Sequence, residues 1–204
     1  MIFDLQEMAM KINSLANRQG FTLIEIAIVL TIAGLVVSGI WMIMSTVAQN
    51  AKESRLVGQV SETMGNARRI FSQAAELPNV SGTGPFTTAS IAAGVFPPDM
   101  VRDSTTAIHA LGSNTYLSYA VSNTPVFNLT LAGLQPDNCT KVVTKIVGSA
   151  AVRQQYGITG LIIGGSRNVT IGDLDVPVSN LVAACSPARR APTGFNVTFQ
   201  FTIL

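Results

Sequence analysis

Hydrophobic positions along the chain fall into three regimes. In the first, from Ile26 to Ala51, no charged residue occurs and apolar side chains lie on all faces of a helix. At ~1.5 Å per residue this run is roughly 39 Å long, enough to cross a ~30 Å hydrocarbon core. A soluble core helix so apolar would need a much larger domain around it. In the second regime polarity returns but the helical period persists. Leu56, Val60, Met64, Ala67, Phe71 and Ala74 recur every three or four residues, with Val57 and Ile70 beside them. Lys52, Glu53, Arg55, Glu62 and Arg68 fall mainly elsewhere, leaving one apolar stripe. No proline occurs from Phe21 to Leu77, and Pro78 ends the pattern. The expectation is one helix from Phe21 to about Glu76, roughly 84 Å long. Gly34, Gly39, Gly58 and Gly65 each weaken it by about 1 kcal/mol relative to alanine. Gly34 and Gly39 either let helices pack closely or let the segment stretch.

The third regime has period two. Thr115–Val121 and Val126–Leu131 read as strands joined by a turn at Ser122-Asn123-Thr124-Pro125. Gly133-Leu134-Gln135-Pro136-Asp137 opens a helix, and Cys139, Val142, Val143, Ile146, Val147 and Ala150 share its buried face. Ile158–Ile163 and Asn168–Ile171 are shorter strands around Gly164-Gly165. In Gly194–Leu204, Phe195, Val197, Phe199, Phe201 and Ile203 alternate with Asn196, Thr198, Gln200 and Thr202. One apolar and one polar face suit a sheet laid on the helical stripe. Asn79–Ser113, rich in Gly, Pro, Ser and Thr, reads as a long surface connection with one short helix near Thr88–Ala93. The fold class is α+β: a long N-terminal helix packed against a C-terminal antiparallel sheet.

Composition sharpens this picture by exclusion. Only 12% of the 204 residues are charged, and mean hydropathy is +0.40. Part of the apolar content therefore belongs in lipid or in a subunit interface. The net charge of +2 comes without a basic cluster, so no nucleic-acid site is expected. Arg68-Arg69 and Arg189-Arg190 read as solvated pairs. Two cysteines and one histidine do not make a four-ligand zinc site, so no metal is expected. The Ser81-Gly82-Thr83-Gly84-Pro85 cluster lacks the lysine of a phosphate loop. His109 stands in a polar loop as a surface or hydrogen-bonding residue. No catalytic constellation is present, so neither an enzyme nor a cofactor is expected.

The segment before the apolar run carries the remaining chemistry. Residues 1–20 contain Lys11 and Arg18 but also Asp4 and Glu7, with no apolar core of secretory length. The charges flanking the span nearly balance, so they do not orient it. Glu25 stands one turn inside the apolar helix. A carboxylate within a membrane span costs roughly 2.5–3.5 kcal/mol and is a functional-site candidate. Alternatively, Glu25 sits at the headgroup level as a helix N-terminal charge.

Gly20-Phe21-Thr22-Leu23-Ile24-Glu25 followed by a long apolar helix resembles the processing site and N-terminal helix of the type IV pilins. The resemblance implies a prepilin cut after Gly20 by a membrane-embedded prepilin peptidase. It implies N-methylation of the new terminal residue, Phe21, and pairing of Glu25 with a neighbour's N-terminus during assembly. The long leader is similar to the IVb class, whereas Phe21 follows the IVa habit. The divisions implied are a cleaved leader (1–20), a transmembrane and assembly half-helix (21–51) and a globular head (52–204). Within the head, 52–76 is the amphipathic half-helix, 77–114 a connecting loop, and 115–204 the sheet and disulfide-bounded region.

With a single anchor placing the head outside the cytoplasm, Cys139 and Cys185 are expected to form a disulfide stapling the 139–185 lobe to the last strand. That region resembles the disulfide-bounded C-terminal region of the type IV pilins, and the Gly133-Leu134…Cys139 approach into a helix is similar to IVb pilins of the toxin-coregulated type. The implied partners are further copies in a helical filament, the peptidase, the inner-membrane assembly machinery and, before assembly, lipid. The implied role is a surface filament for adhesion, aggregation or DNA transfer, built from subunits held in the inner membrane with the head in the periplasm. A type II secretion pseudopilin and a minor pilin at the tip share the N-terminal motif and are the alternative readings.

Overall fold

The computed structural model describes residues 22–73, 83–120, 126–164, 169–171, 177–186 and 194–203, apart from the side chains of Met42, Val169 and Thr170. Gly20, Phe21, Ala74, Pro78, the turn at 122–125, Gly165 and Asn168 lie outside the described residues. The chain divides into two compact units, residues 1–48 and 49–204. A single helix, α1 (Leu23–Phe71), contributes its first half to one and its second half to the other. It stops short of the Glu76 expected from the sequence, giving way to a turn at Ser72–Gln73.

In the first unit, every described side chain from Thr22 to Lys52, just past the boundary, is exposed. An 18-residue window in α1 reaches a mean hydropathy of 2.5 with none of it buried.

The second unit, the head, is a six-stranded antiparallel sheet packed against helices. In chain order its further elements are α2 (Thr83–Ala92), β1 (Ala107–Ile108), β2 (Asn114–Ala120), β3 (Val126–Leu134), α3 (Pro136–Val147), α4 (Ala150–Tyr156), β4 (Ile158–Gly164), β5 (Val169–Ile171), α5 (Val178–Ala184) and β6 (Phe195–Thr202). The strand order is β1-β2-β3-β6-β4-β5, which puts the last strand at the centre. Its buried residues, Phe195, Val197, Phe199 and Phe201, alternate with polar ones on the other face. That outer face is tied laterally by Thr130 to Thr198 at 2.8 Å and by the Gln200 amide to Asn128 at 3.1 Å. Leu56, Val60, Met64, Ala67 and Phe71 of α1 are all buried within the hydrophobic core. Phe71 stacks on Phe127 with ring centroids 5.4 Å apart and meets Phe86 at 5.5 Å, which joins α1, α2 and the sheet.

Two irregularities keep the buried faces in phase. Register shifts fall between Leu131 and Leu134 in β3 and between Ile158 and Gly160 in β4. The odd spacings from Leu131 to Leu134 and from Ile158 to Leu161 thereby leave both residues of each pair facing the core, as a bulge permits. Opposite the first shift, Gly194 has φ +90°, and a Cβ there would stand 2.8 Å from the Gly133 carbonyl carbon. Only glycine fits that crossing without displacing backbone.

The described part of the 79–113 connection, residues 83–113, is not a surface loop. Within it α2 is longer and starts earlier than Thr88, because Pro85 in the first turn gives up a backbone donor that has no helical partner anyway. Phe86, Val95, Phe96, Met100 and Ala107 are core residues. Thr87 of α2 donates its hydroxyl to Leu117 O and accepts from Leu117 N–H, both at 3.0 Å. This covers the outward backbone of β2 where β1 is too short to pair with it.

Candidate functional site

The features with chemical character lie at the start of α1, at the disulfide, and along the polar contacts that fasten the head to α1. At the helix start, Thr22 is the N-cap. Its carbonyl accepts from Glu25 N–H at 3.0 Å and from Ile26 N–H at 3.2 Å, and its hydroxyl accepts from Glu25 N–H at 3.3 Å. Thr22-Leu23-Ile24-Glu25 has the T-x-x-E spacing of a capping box. Glu25 therefore has a local role available besides any contact with another chain. That signal is visible in the sequence, although the apolar context draws attention to the charge instead. The Glu25 side chain is exposed, as are Leu23 and Ile24. Gly20 and Phe21 lie outside the described residues, so their geometry does not enter.

Cys139 and Cys185 are bonded, with Cα atoms 5.8 Å apart. Both are buried, Cys139 on α3 and Cys185 at the C-cap of α5. The bond thus joins α3 to α5, not to the last strand as the sequence suggests. α5 escapes a reading by periodicity because at seven residues it spans barely two turns. A groove of about 590 Å³ beside the disulfide is lined by Pro136, Asp137, Thr140, Lys141 and Val182.

Buried polar side chains on α1 hold the rest. Glu53, 4% exposed, accepts from Lys141 Nζ at 2.7 Å and so pins α3 to α1. Gln59 is buried as well. Its amide donates to Asp99 Oδ2 at 2.8 Å and its carbonyl accepts from Ala110 N–H at 2.9 Å. Arg55 Nε reaches the same Asp99 oxygen at 2.9 Å. The Gln59 bond, with help from Arg55 and against a desolvation effect, holds the Asp99 carboxyl below its usual range. Thr63 donates to Gln59 O at 2.7 Å.

His109 is buried at 2% exposure, so of the two roles its polar loop suggests, surface or hydrogen-bonding, it has the second. Leu111 N–H donates to its Nδ1 at 3.2 Å, so Nε2 carries the proton and donates to Ala132 O at 3.0 Å. Burial pushes the imidazole pKa down, and the Ala132 bond offsets this only in part. Among the described residues, no three His, Cys, Asp or Glu side chains gather to hold a metal ion.

Residues 15–41 match the family model of the prokaryotic N-terminal methylation motif. The structure is similar to the crystal structure of the type IVb pilin from Salmonella typhi, with a TM-score of 0.54 and 14% identity over 72% of this chain and 97% of that one. The chain has the fold of a type IV pilin. A further similarity, with a TM-score of 0.48, is to TcpA, a type IV pilin from Vibrio cholerae El Tor biotype, at 12% identity over 74% of this chain and 99% of that one. No curated protein matches the chain in sequence. In this pilin fold the long helix, the antiparallel sheet and the Cys139–Cys185 bond are the elements already described, and the methylation motif covers the first part of α1.

Proposed function

We propose that the chain is a type IVb prepilin, cut after Gly20 by a prepilin peptidase, methylated at Phe21 and polymerised into a surface filament. The observation that carries this is the first half of α1. It lies under a methylation motif as far as Trp41, is uncharged from Ile26 onward, and its described apolar side chains are all exposed. So much unpartnered apolar area, at ~25 cal/mol per Å², must be covered by lipid or by other chains.

Lipid of the inner membrane covers it first, with the head in the periplasm, where the Cys139–Cys185 bond is stable. Neighbouring copies cover it after assembly, in a heterologous helical array. Gly34 and Gly39 support a neighbour. A Cβ at either position meets nothing within 4 Å in this chain, so nothing inside it calls for glycine. Glu25 contributes register, its carboxylate meeting the methylated amine of an adjacent copy at low dielectric. Adhesion, aggregation or DNA transfer would follow from the filament's outer surface.

The test is Glu25→Gln. Glutamine keeps the T-x-x-E/Q capping geometry but removes the charge. The variant should still be processed to a chain beginning at Phe21, yet give no filaments by electron microscopy. Normal filaments would remove Glu25 from assembly. A mature terminus elsewhere would refute the processing step. Filaments that contain the chain only in trace, or only with secretion components, would favour the minor-pilin or pseudopilin reading.

A further inference from the structure

We infer that Trp41 sets the depth of the anchor, with its indole in the headgroup layer on the head's side of the membrane. The inference rests on the membrane-anchor reading and goes beyond it by fixing which residues lie in hydrocarbon. Trp41 is the chain's one tryptophan and is 79% exposed. On its N-terminal side, Ile26–Ile40 is apolar except for Thr31 and Ser38. Those two hydroxyls donate back to their own helix, to Ala27 O at 2.7 Å and Leu35 O at 2.9 Å. Neither leaves a donor to be solvated in lipid. On the other side, after Met44, come Ser45, Thr46, Gln49, Asn50 and Lys52.

The helical rise converts this order into depth. With Glu25 at the inner boundary, Trp41 stands about 24 Å up the helix and Ser45 about 30 Å, the thickness of the hydrocarbon core. The indole then falls in the last turn before the outer boundary. There its ring stays in an apolar layer while its N–H finds a carbonyl or water. Deeper placement would strand that donor. Shallower placement would lift Ile40, Ile43 and Met44, each exposed by more than half, into water. The span in hydrocarbon is therefore Ile26–Met44, shorter than the uncharged run, and Ser45–Ala51 lies in the headgroup layer.

The single tryptophan is its own probe. The full chain is reconstituted into phosphatidylcholine–phosphatidylglycerol vesicles whose phosphatidylcholine is brominated either near the carbonyl end or near the methyl end of the acyl chains. Flotation with the vesicles reports insertion independently of fluorescence. Trp41 emission should be lost more with bromines near the carbonyl end. A Trp41→Phe, Leu35→Trp chain places the ring at mid-span and should reverse the order. A larger loss with deep bromines in the natural chain overturns the inference. So does floating protein quenched by neither lipid, which would put Trp41 against another helix. Protein that fails to float refutes the anchor reading itself.

Discussion

The two halves of α1 are one helix with one period, yet they meet opposite conditions. From Gln49 to Phe71 the stripe is buried by residues far along the chain. Even the polar side chains on that side are matched: Glu53 by Lys141, Gln59 by Asp99 and Ala110, Thr63 by its own helix. From Leu23 to Ala48 every described side chain is exposed, and the hydroxyls of Thr31 and Ser38 bond inward. Helix formation is therefore not what separates the halves. The second half is completed by its own chain, whereas the first waits for a solvent or partner that the described residues do not supply.

The largest expected effect tests that contrast directly. Leu56, fully buried, truncated to alanine should cost the head about 2–5 kcal/mol. Leu35, 70% exposed, truncated in the same way should change head stability by no more than about 0.5 kcal/mol. Urea unfolding of the full chain in mild detergent, followed by circular dichroism, measures both. Equal losses would mean that the first half is part of the head's cooperative unit, and the comparison would fail.

Next in size is the matching of buried polar groups. Lys141→Ala removes the partner of a carboxylate that is only 5% exposed. The cost of leaving Glu53 unsatisfied should be about 1–3 kcal/mol. The double change Glu53→Met, Lys141→Met should recover most of it, since an apolar pair leaves no stranded charge. If Lys141→Ala alone is silent in the same unfolding measurement, water reaches Glu53 and the clasp is a surface contact.

These contacts mark where the sequence is legible and where it is not. The stripe Leu56–Phe71 and the alternation in Phe195–Thr202 follow from period alone, because burial on one face imposes it. The buried Glu53 and Gln59 do not, because their partners lie 88 and 40 residues away. Nor do the bulges that rephase β3 and β4, since a bulge breaks the alternation by which strands are read. At the candidate site the motif Gly20–Glu25 is plain in one dimension. The capping role of Thr22 is also written there, as a spacing. The disulfide pairing follows from there being only two cysteines, but the element receiving Cys185 does not.

A smaller effect depends on pH. His109 is neutral in the folded head, with Nδ1 accepting from Leu111 and Nε2–H donating to Ala132. Its folded pKa lies below the ordinary imidazole value of 6.5. The unfolded chain therefore binds the proton first, and stability falls as pH drops below about 6.5. The loss is complete once pH passes the folded pKa. Asp99 adds a second decline at lower pH, because its folded pKa lies below 3.8 and the unfolded chain therefore takes up the proton first. Both groups tie the 95–113 segment to its surroundings, so the declines belong to the head. His109→Gln should flatten the upper decline in denaturant midpoint against pH and leave the lower one. A slope that persists in the variant would assign it to other groups.

The smallest expected effect has opposite signs in the two settings of the first half. In the isolated chain a Cβ at Gly34 or Gly39 meets nothing within 4 Å, so each glycine only costs helix stability. Gly34→Ala should therefore stabilise the segment in detergent by about 1 kcal/mol or less, read as slower amide exchange around it. In the filament the same methyl group would enter the space between backbones if a neighbour packs there, and overpacking typically costs about 1–3 kcal/mol. A stabilised monomer with reduced filament yield would place Gly34 at a contact between copies. A stabilised monomer with unchanged filaments would mean that the neighbour packs on another face. Its glycine would then have to be explained by stretching of the helix, which slower exchange in Gly34→Ala filaments than in natural ones would reveal.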